Sequence, residues 1–235
     1  MHTISIPPEI VERSRRLRGD RPHIFASVDP ARTAHVVVDL QNGFMSPGAP
    51  VEVPTAREIV PNVNMISDQV RRAGGLNVFL RYTYDEAERF KWPAFYKAYS
   101  TPENTAMMKA AFTRGADHHG LWAGLDVKPG DLIVDKTRFS GFIAGTCDLH
   151  DLLQRRGIDT LIITGTVTNC CCESTARDAM QMDYKIIFVS DGNAAFTDAE
   201  HNATLSSMVA IFADVMTADD VVAALGSGHA SRSAA

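Results

Sequence analysis

The chain has 235 residues, a formal net charge of −5 at neutral pH, and 45% hydrophobic and 22% charged residues. That length favours one α/β domain with a core large enough to need no staples, and the acidic balance gives no reason to expect nucleic acid or an anionic membrane surface as partner. No apolar run approaches a membrane span, and the opening MHTISIPPEIVERSRRLRGD lacks the apolar centre of a signal peptide, so a cytoplasmic protein is expected.

In chain order, residues 1–25 read as an N-terminal extension, expected to form a helix against the body or a neighbouring subunit. A single domain is expected over 26–226, followed by a small, polar and flexible tail over 227–235. Strands are expected at 34–40, 76–82, 131–134, 160–164 and 184–190, with a weaker one at 213–216. Most are continuous runs of Val and Ile, the mark of strands buried on both faces. Helices are expected at 58–73, 146–156, 173–183 and 199–212; in the first, Ile59, Val63, Ile66 and Val70 recur at three- and four-residue steps and make a core-facing stripe. This alternation predicts a three-layer, Rossmann-like open sheet of about six mostly parallel strands with helices on both faces. The connection over 85–128 is long and rich in aromatic residues, which predicts a lid or helices of its own.

Of four cysteines, Cys170, Cys171 and Cys172 are consecutive and Cys147 is remote. Bridges between adjacent residues are strained, and three neighbours at a helix start cannot converge on one tetrahedral metal, so reduced thiols are expected. The run LIITGTVTNCCCESTARDA delivers Cys171 from an apolar strand to a helix start, with Thr168 or Asn169 as a cap. There, unpaired N–H groups and the helix dipole are expected to favour the thiolate and to hold an oxyanion. Cys170 and Cys172 read as small buried apolar residues.

Asp39 closes AHVVVD, at the strand end where ligands bind in open α/β sheets, although the following Leu-Gln-Asn-Gly also fits a capped turn. Lys136 follows DLIVD; it is either half of an exposed pair with Asp135 or a cation set beside the thiol. A carboxylate, an ammonium and a thiol at the ends of parallel strands would make a nucleophilic amide-cleaving site. Dinucleotide chemistry is disfavoured, because no G-x-G-x-x-G follows the first strand.

Three motifs, DLQNGF (39–44), DKTRFSGF (135–142) and GTVTNCCCESTARDA (165–179), resemble those of the isochorismatase-like superfamily of cysteine hydrolases over roughly 34–225. The resemblance implies that fold, with Asp39, Lys136 and Cys171 as catalytic residues. Within G-x-x-T-x-x-C it selects Cys171 as nucleophile. It further implies a cis peptide between Thr166 and Val167, and an oxyanion hole formed by the N–H groups of Val167 and Cys171. True isochorismatases lack this cysteine, and the histidines that hold a metal in nicotinamidases are missing from 45–84, so no metal and no cofactor are expected. The pattern is most similar to ureidoacrylate amidohydrolases and related ureide and carbamoyl hydrolases, though Tyr82 stands where that branch tends to have asparagine. The expected reaction is cleavage of a C–N bond in a small amide, ureide or carbamoyl compound through a thioester, releasing ammonia or an amine. Nicotinamidase-like or N-carbamoyl amino acid hydrolysis, or non-catalytic binding on the same fold, are the alternatives. Phe44, Trp92 and Phe139 are expected to wall the pocket, and Gln41, Arg81 and Tyr82 to read polar substrate groups, with Arg81 as a carboxylate clamp. A homodimer or homotetramer is a further expectation from the resemblance.

Overall fold

Six apolar segments hydrogen-bond edge to edge in the order β3-β2-β1-β4-β5-β6, all parallel. They are β1 (Thr33–Val38), β2 (Leu76–Tyr82), β3 (Leu132–Lys136), β4 (Thr160–Thr166), β5 (Lys185–Ala194) and β6 (Asp214–Met216). The structure, a computed structural model, describes residues 1–232, with backbone only at 88 and 228–232. The helices are α1 (Pro8–Leu17), α2 (Asn42–Met45), α3 (Val60–Ala73), α4 (Pro93–Ala98), α5 (Pro102–Phe112), α6 (Leu149–Gln154), α7 (Glu173–Gln181), α8 (Asp198–Ser207) and α9 (Ala218–Arg232).

Strand alternation divides the core. Val36, Val38, Leu161, Ile163 and Phe188 point to the face covered by α6, α7 and α8, where Leu149, Leu153, Ala176, Ala179 and Leu205 meet them. On the opposite face, Val37 and Phe79 pack with Val63 of α3 and Phe112 of α5. Ile162 and Ile187 pack there with Ile66 and Val70 of α3 and with Val221 and Leu225 of α9. Burial on both faces is why these strands read as unbroken apolar runs.

β1 is flanked by β2 on one side and β4 on the other, and the chain order reverses between β1 and β4. Ligands bind beyond the strand ends at such a switch point. Here the two strands approach so closely that a Cβ on Gly165, whose φ is +125°, would lie 2.1 Å from the carbonyl oxygen of Val38. Backbone cannot yield as a side chain can. Gly165→Ala is therefore expected to cost about 3 kcal/mol or more, read as a fall in the urea unfolding midpoint; an unshifted midpoint would refute the close approach.

Several boundaries differ from expectation for local reasons. β5 runs on to Ala194, because Asn193 Nδ2 bonds the carbonyls of Ile163 and Val189 and carries the ladder past a register shift. The 85–128 connection holds α4, α5 and two short 3₁₀ turns. α1 docks on the body: Ser14 Oγ donates to the Val209 carbonyl (2.6 Å), and Arg18 pairs with Asp214. The tail expected to be flexible falls partly outside the described residues, and α9 runs to Arg232.

Candidate active site

Asp39 lies one residue past β1, in the left-handed region at φ +52° that Asp tolerates better than most residues. This turn aims its carboxylate along the ends of the strands, where it is wholly buried. Lys136, the last residue of β3, is in register with Tyr82 at the end of β2. Its ammonium passes over the Tyr82 ring, 5.3 Å from the centroid, and donates to Asp39 Oδ2 at 2.7 Å and to the Arg138 carbonyl at 3.1 Å. Neither side chain reaches solvent. Burial pulls the Lys136 pKa down, but the neighbouring Asp39 carboxylate outweighs it and holds it above the usual lysine value. The ammonium and the carboxylate thus face each other as a buried pair.

β4 ends in a cis peptide between Thr166 and Val167. It leads into a π-turn over Thr168–Cys172, which α7 continues. The expected cap does not form. Thr168 Oγ1 instead bonds His201 Nδ1 (2.9 Å), whose Nε2 bonds the Ser190 carbonyl, so the turn is tied to α8 and β5. The His2 ring stacks on His201 at 4.4 Å. Cys172 is sealed in the core, Cys171 is 3% exposed, and Cys170 is partly exposed.

Burial raises the Asp39 pKa above the usual carboxylate value, with Lys136 and, more weakly, the nearby Cys171 thiol pulling against it. Yet Asp39 Oδ1 is buried without a partner in hydrogen-bond geometry. One carboxylate oxygen is therefore committed to lysine, while the other is free to take a proton. The expectation of a resting thiolate is corrected here. A hydrogen bond with Cys170, burial and the Asp39 charge together raise the Cys171 pKa well above that of an ordinary thiol, with Lys136 only partly offsetting them.

Cys171 opens into a cavity of about 260 Å³. Phe44, Tyr82, Phe95, Phe112, Phe139 and Phe196 supply rings to its wall, with Val51, Met108 and Val167 filling between them. The polar residues on it are Asn169, Cys170, Cys171, Glu200 and Tyr82, whose hydroxyl is bonded to that of Tyr96 at 2.6 Å. Among the described residues, no cluster of His, Cys, Asp and Glu is arranged to hold a metal ion.

Three of the expected substrate contacts, Phe44, Tyr82 and Phe139, lie on this wall, and three do not. Arg81 is the cross-strand neighbour of Asp135 and is held by it at 2.8–2.9 Å, on the rim of a separate polar cleft. The Gln41 side chain is fully buried and spends its amide on the Tyr82 backbone and the His119 carbonyl. Trp92 packs edge-on behind Phe139, with ring centroids 4.8 Å apart, under the Arg138 guanidinium. The sequence reading missed Phe95, Met108 and Phe112, which the 85–128 connection folds back over the site. It also missed Phe196 and Glu200 beyond β5, where the only local cue was the capping pattern Thr197-x-x-Glu200.

Fold and site together define an open parallel α/β protein with a thiol, a carboxylate and an ammonium at its switch point. The chain belongs to the isochorismatase family: the Isochorismatase domain matches residues 33–220. It is similar to the ureidoacrylate amidohydrolase RutB of Variovorax paradoxus, 32% identical over 203 residues that cover 81% of this chain and 80% of the relative. It is also similar to the uncharacterized isochorismatase family protein YwoC of Bacillus subtilis, 32% identical over 180 residues, 76% of this chain and 86% of that one. Among solved structures, a cysteine hydrolase from Pseudomonas syringae superposes with a TM-score of 0.79 at 29% identity, covering 88% of this chain and 99% of its own.

Proposed function

We propose that this protein is a cysteine-dependent amidohydrolase, cleaving the C–N bond of a small amide, ureide or carbamoyl compound through a thioester. The observation that carries the reading is the unpartnered oxygen of a lysine-anchored aspartate beside a thiol that lines an apolar cavity.

The chemistry follows from the resting charges. As the Cys171 sulfur attacks the carbonyl carbon, its proton passes to Asp39 Oδ1, so the carboxylate is neutralised as the oxyanion forms. Lys136 keeps Asp39 ionised until that moment and opposes the negative charge growing at sulfur. The N–H groups of Val167 and Cys171 receive the oxyanion. Protonated Asp39 then gives its proton to the leaving nitrogen, the C–N bond breaks, and ammonia or an amine departs. Water, losing a proton to Asp39, adds to the thioester; the C–S bond breaks and the thiol is restored as the acid is released. The family relationship and the likeness to an amidohydrolase and a cysteine hydrolase support this course.

The test is to quench the enzyme with a slow amide or an activated ester and fragment the labelled peptide. An acyl mass on Cys171 is expected. Acylation of Cys170 instead, or turnover with no covalent species under single-turnover conditions, would count against the scheme.

A further inference from the structure

The cavity beyond Cys171 carries a second message, about charge. Its wall is built almost wholly of rings and aliphatic side chains, and among the described residues the one charged residue on it is the acidic Glu200. Glu200 Oε2 accepts from Thr197 Oγ1, which holds the side chain in place at the start of α8.

Among the described residues no cationic side chain lines this cavity, and the ammonium of Lys109, next in the chain to Met108, lies over the Tyr84 and Tyr96 rings. The Lys136 ammonium has no exposed surface and is spent on Asp39 and a carbonyl. Arg81 is clamped by Asp135 in the other cleft. Arg138 is held by the carbonyls of Phe90, Lys91 and Thr137 and lies over Trp92. A carboxylate entering the cavity would shed its water without gaining a counter-ion, and it would lie near Glu200. Burial of such an unpaired charge is among the most costly events in a protein interior. An apolar acyl group loses nothing on the same path and gains by leaving water. At the roughly 30 Å³ that a water-sized group occupies, the space admits on the order of nine non-hydrogen atoms.

We infer that the site takes an uncharged amide or urea whose remaining part is a single ring or a short hydrocarbon, and that it discriminates against carboxylate-bearing ureides and carbamoyl acids. The inference rests on the amidohydrolase reading above and narrows its substrate class. It also separates this chain from the substrate named for its relative RutB, since a ureidoacrylate carries a carboxylate.

The experiment uses matched pairs that differ in one charge: butyramide against succinamate, propylurea against N-carbamoylglycine, with phenylacetamide as the ring-bearing member. Wild-type kcat/KM is expected to favour the neutral member of each pair by about 100-fold or more. Binding to Cys171→Ala, measured by calorimetry, should show the same order without any turnover. Glu200→Gln should narrow the succinamate deficit several-fold, because it removes the like charge. Cys171-dependent cleavage that favours the carboxylates, or tighter binding of the carboxylates to Cys171→Ala, overturns this inference and leaves the amidohydrolase reading standing. Turnover that survives Cys171→Ala overturns both.

Discussion

Exchange of Cys171 for alanine is expected to reduce amide turnover by at least ~10⁴-fold while costing no more than about 2 kcal/mol of stability. The two effects separate because the sulfur has one structural neighbour set and a different chemical one. It shares its core cluster with the small residues Cys172, Ala176 and Ala179, so truncation to alanine removes a single buried atom. No other described group on the cavity wall combines a nucleophilic atom with the free oxygen of Asp39. Serine at the same place would keep the shape yet present a far weaker nucleophile to the same base, and should fail nearly as badly. Ammonia release and the thermal midpoint, measured side by side, check both halves. A folded alanine variant with ordinary turnover would remove the nucleophile from the scheme.

The second large effect is expected at the buried pair. Lys136→Met strands Asp39 without its counter-charge, which should cost about 3–5 kcal/mol at neutral pH and lower kcat/KM by ~10²-fold or more. The pH dependence fixes the sign. Lys136 holds the Asp39 pKa down against burial, so its loss raises that pKa further. A carboxyl whose folded pKa lies above its unfolded value favours folding below the unfolded pKa and loses that advantage as pH rises through the folded one. The variant should therefore be most destabilised at high pH and recover on acidification. Its activity should behave oppositely: the acid limb of kcat/KM moves to higher pH, because the base must be ionised. Asp39→Asn combined with Lys136→Met should regain much of the stability and none of the activity. Urea midpoints and pH–rate profiles of Lys136→Met, Asp39→Asn and the double variant test this; additive losses of stability would show that the two groups do not act as a pair.

The sheet could be read in the chain because its strands are buried on both faces and so consist of little but Val, Ile and Leu. The converging trio was legible for a related reason: a carboxylate or an ammonium that ends such a run has few places to go except the strand ends. What could not be read was the wall. Phe95, Met108 and Phe112 reach the cavity from α4 and α5, and nothing local in 85–128 says which rings fold inward. Arg81 shows the opposite case. Its partner Asp135 sits beside it on the next strand, a cross-strand pairing that follows from register, and register is invisible until the sheet order is known. The charge state of Cys171 was misjudged because a helix start argues for thiolate only where the sulfur stays wet. Here a hydrogen bond with Cys170 and burial raise the thiol pKa instead.

The π-turn seats three consecutive sulfurs in three surroundings, one sealed, one at the threshold and one on the cavity wall. A reagent that travels the substrate's route meets Cys170 and Cys171 as adjacent targets on one short loop. Blocking either would obstruct the same passage. Inactivation by an alkylating agent thus reports an occupied doorway, and only cleavage of the backbone between the two residues tells which thiol was taken.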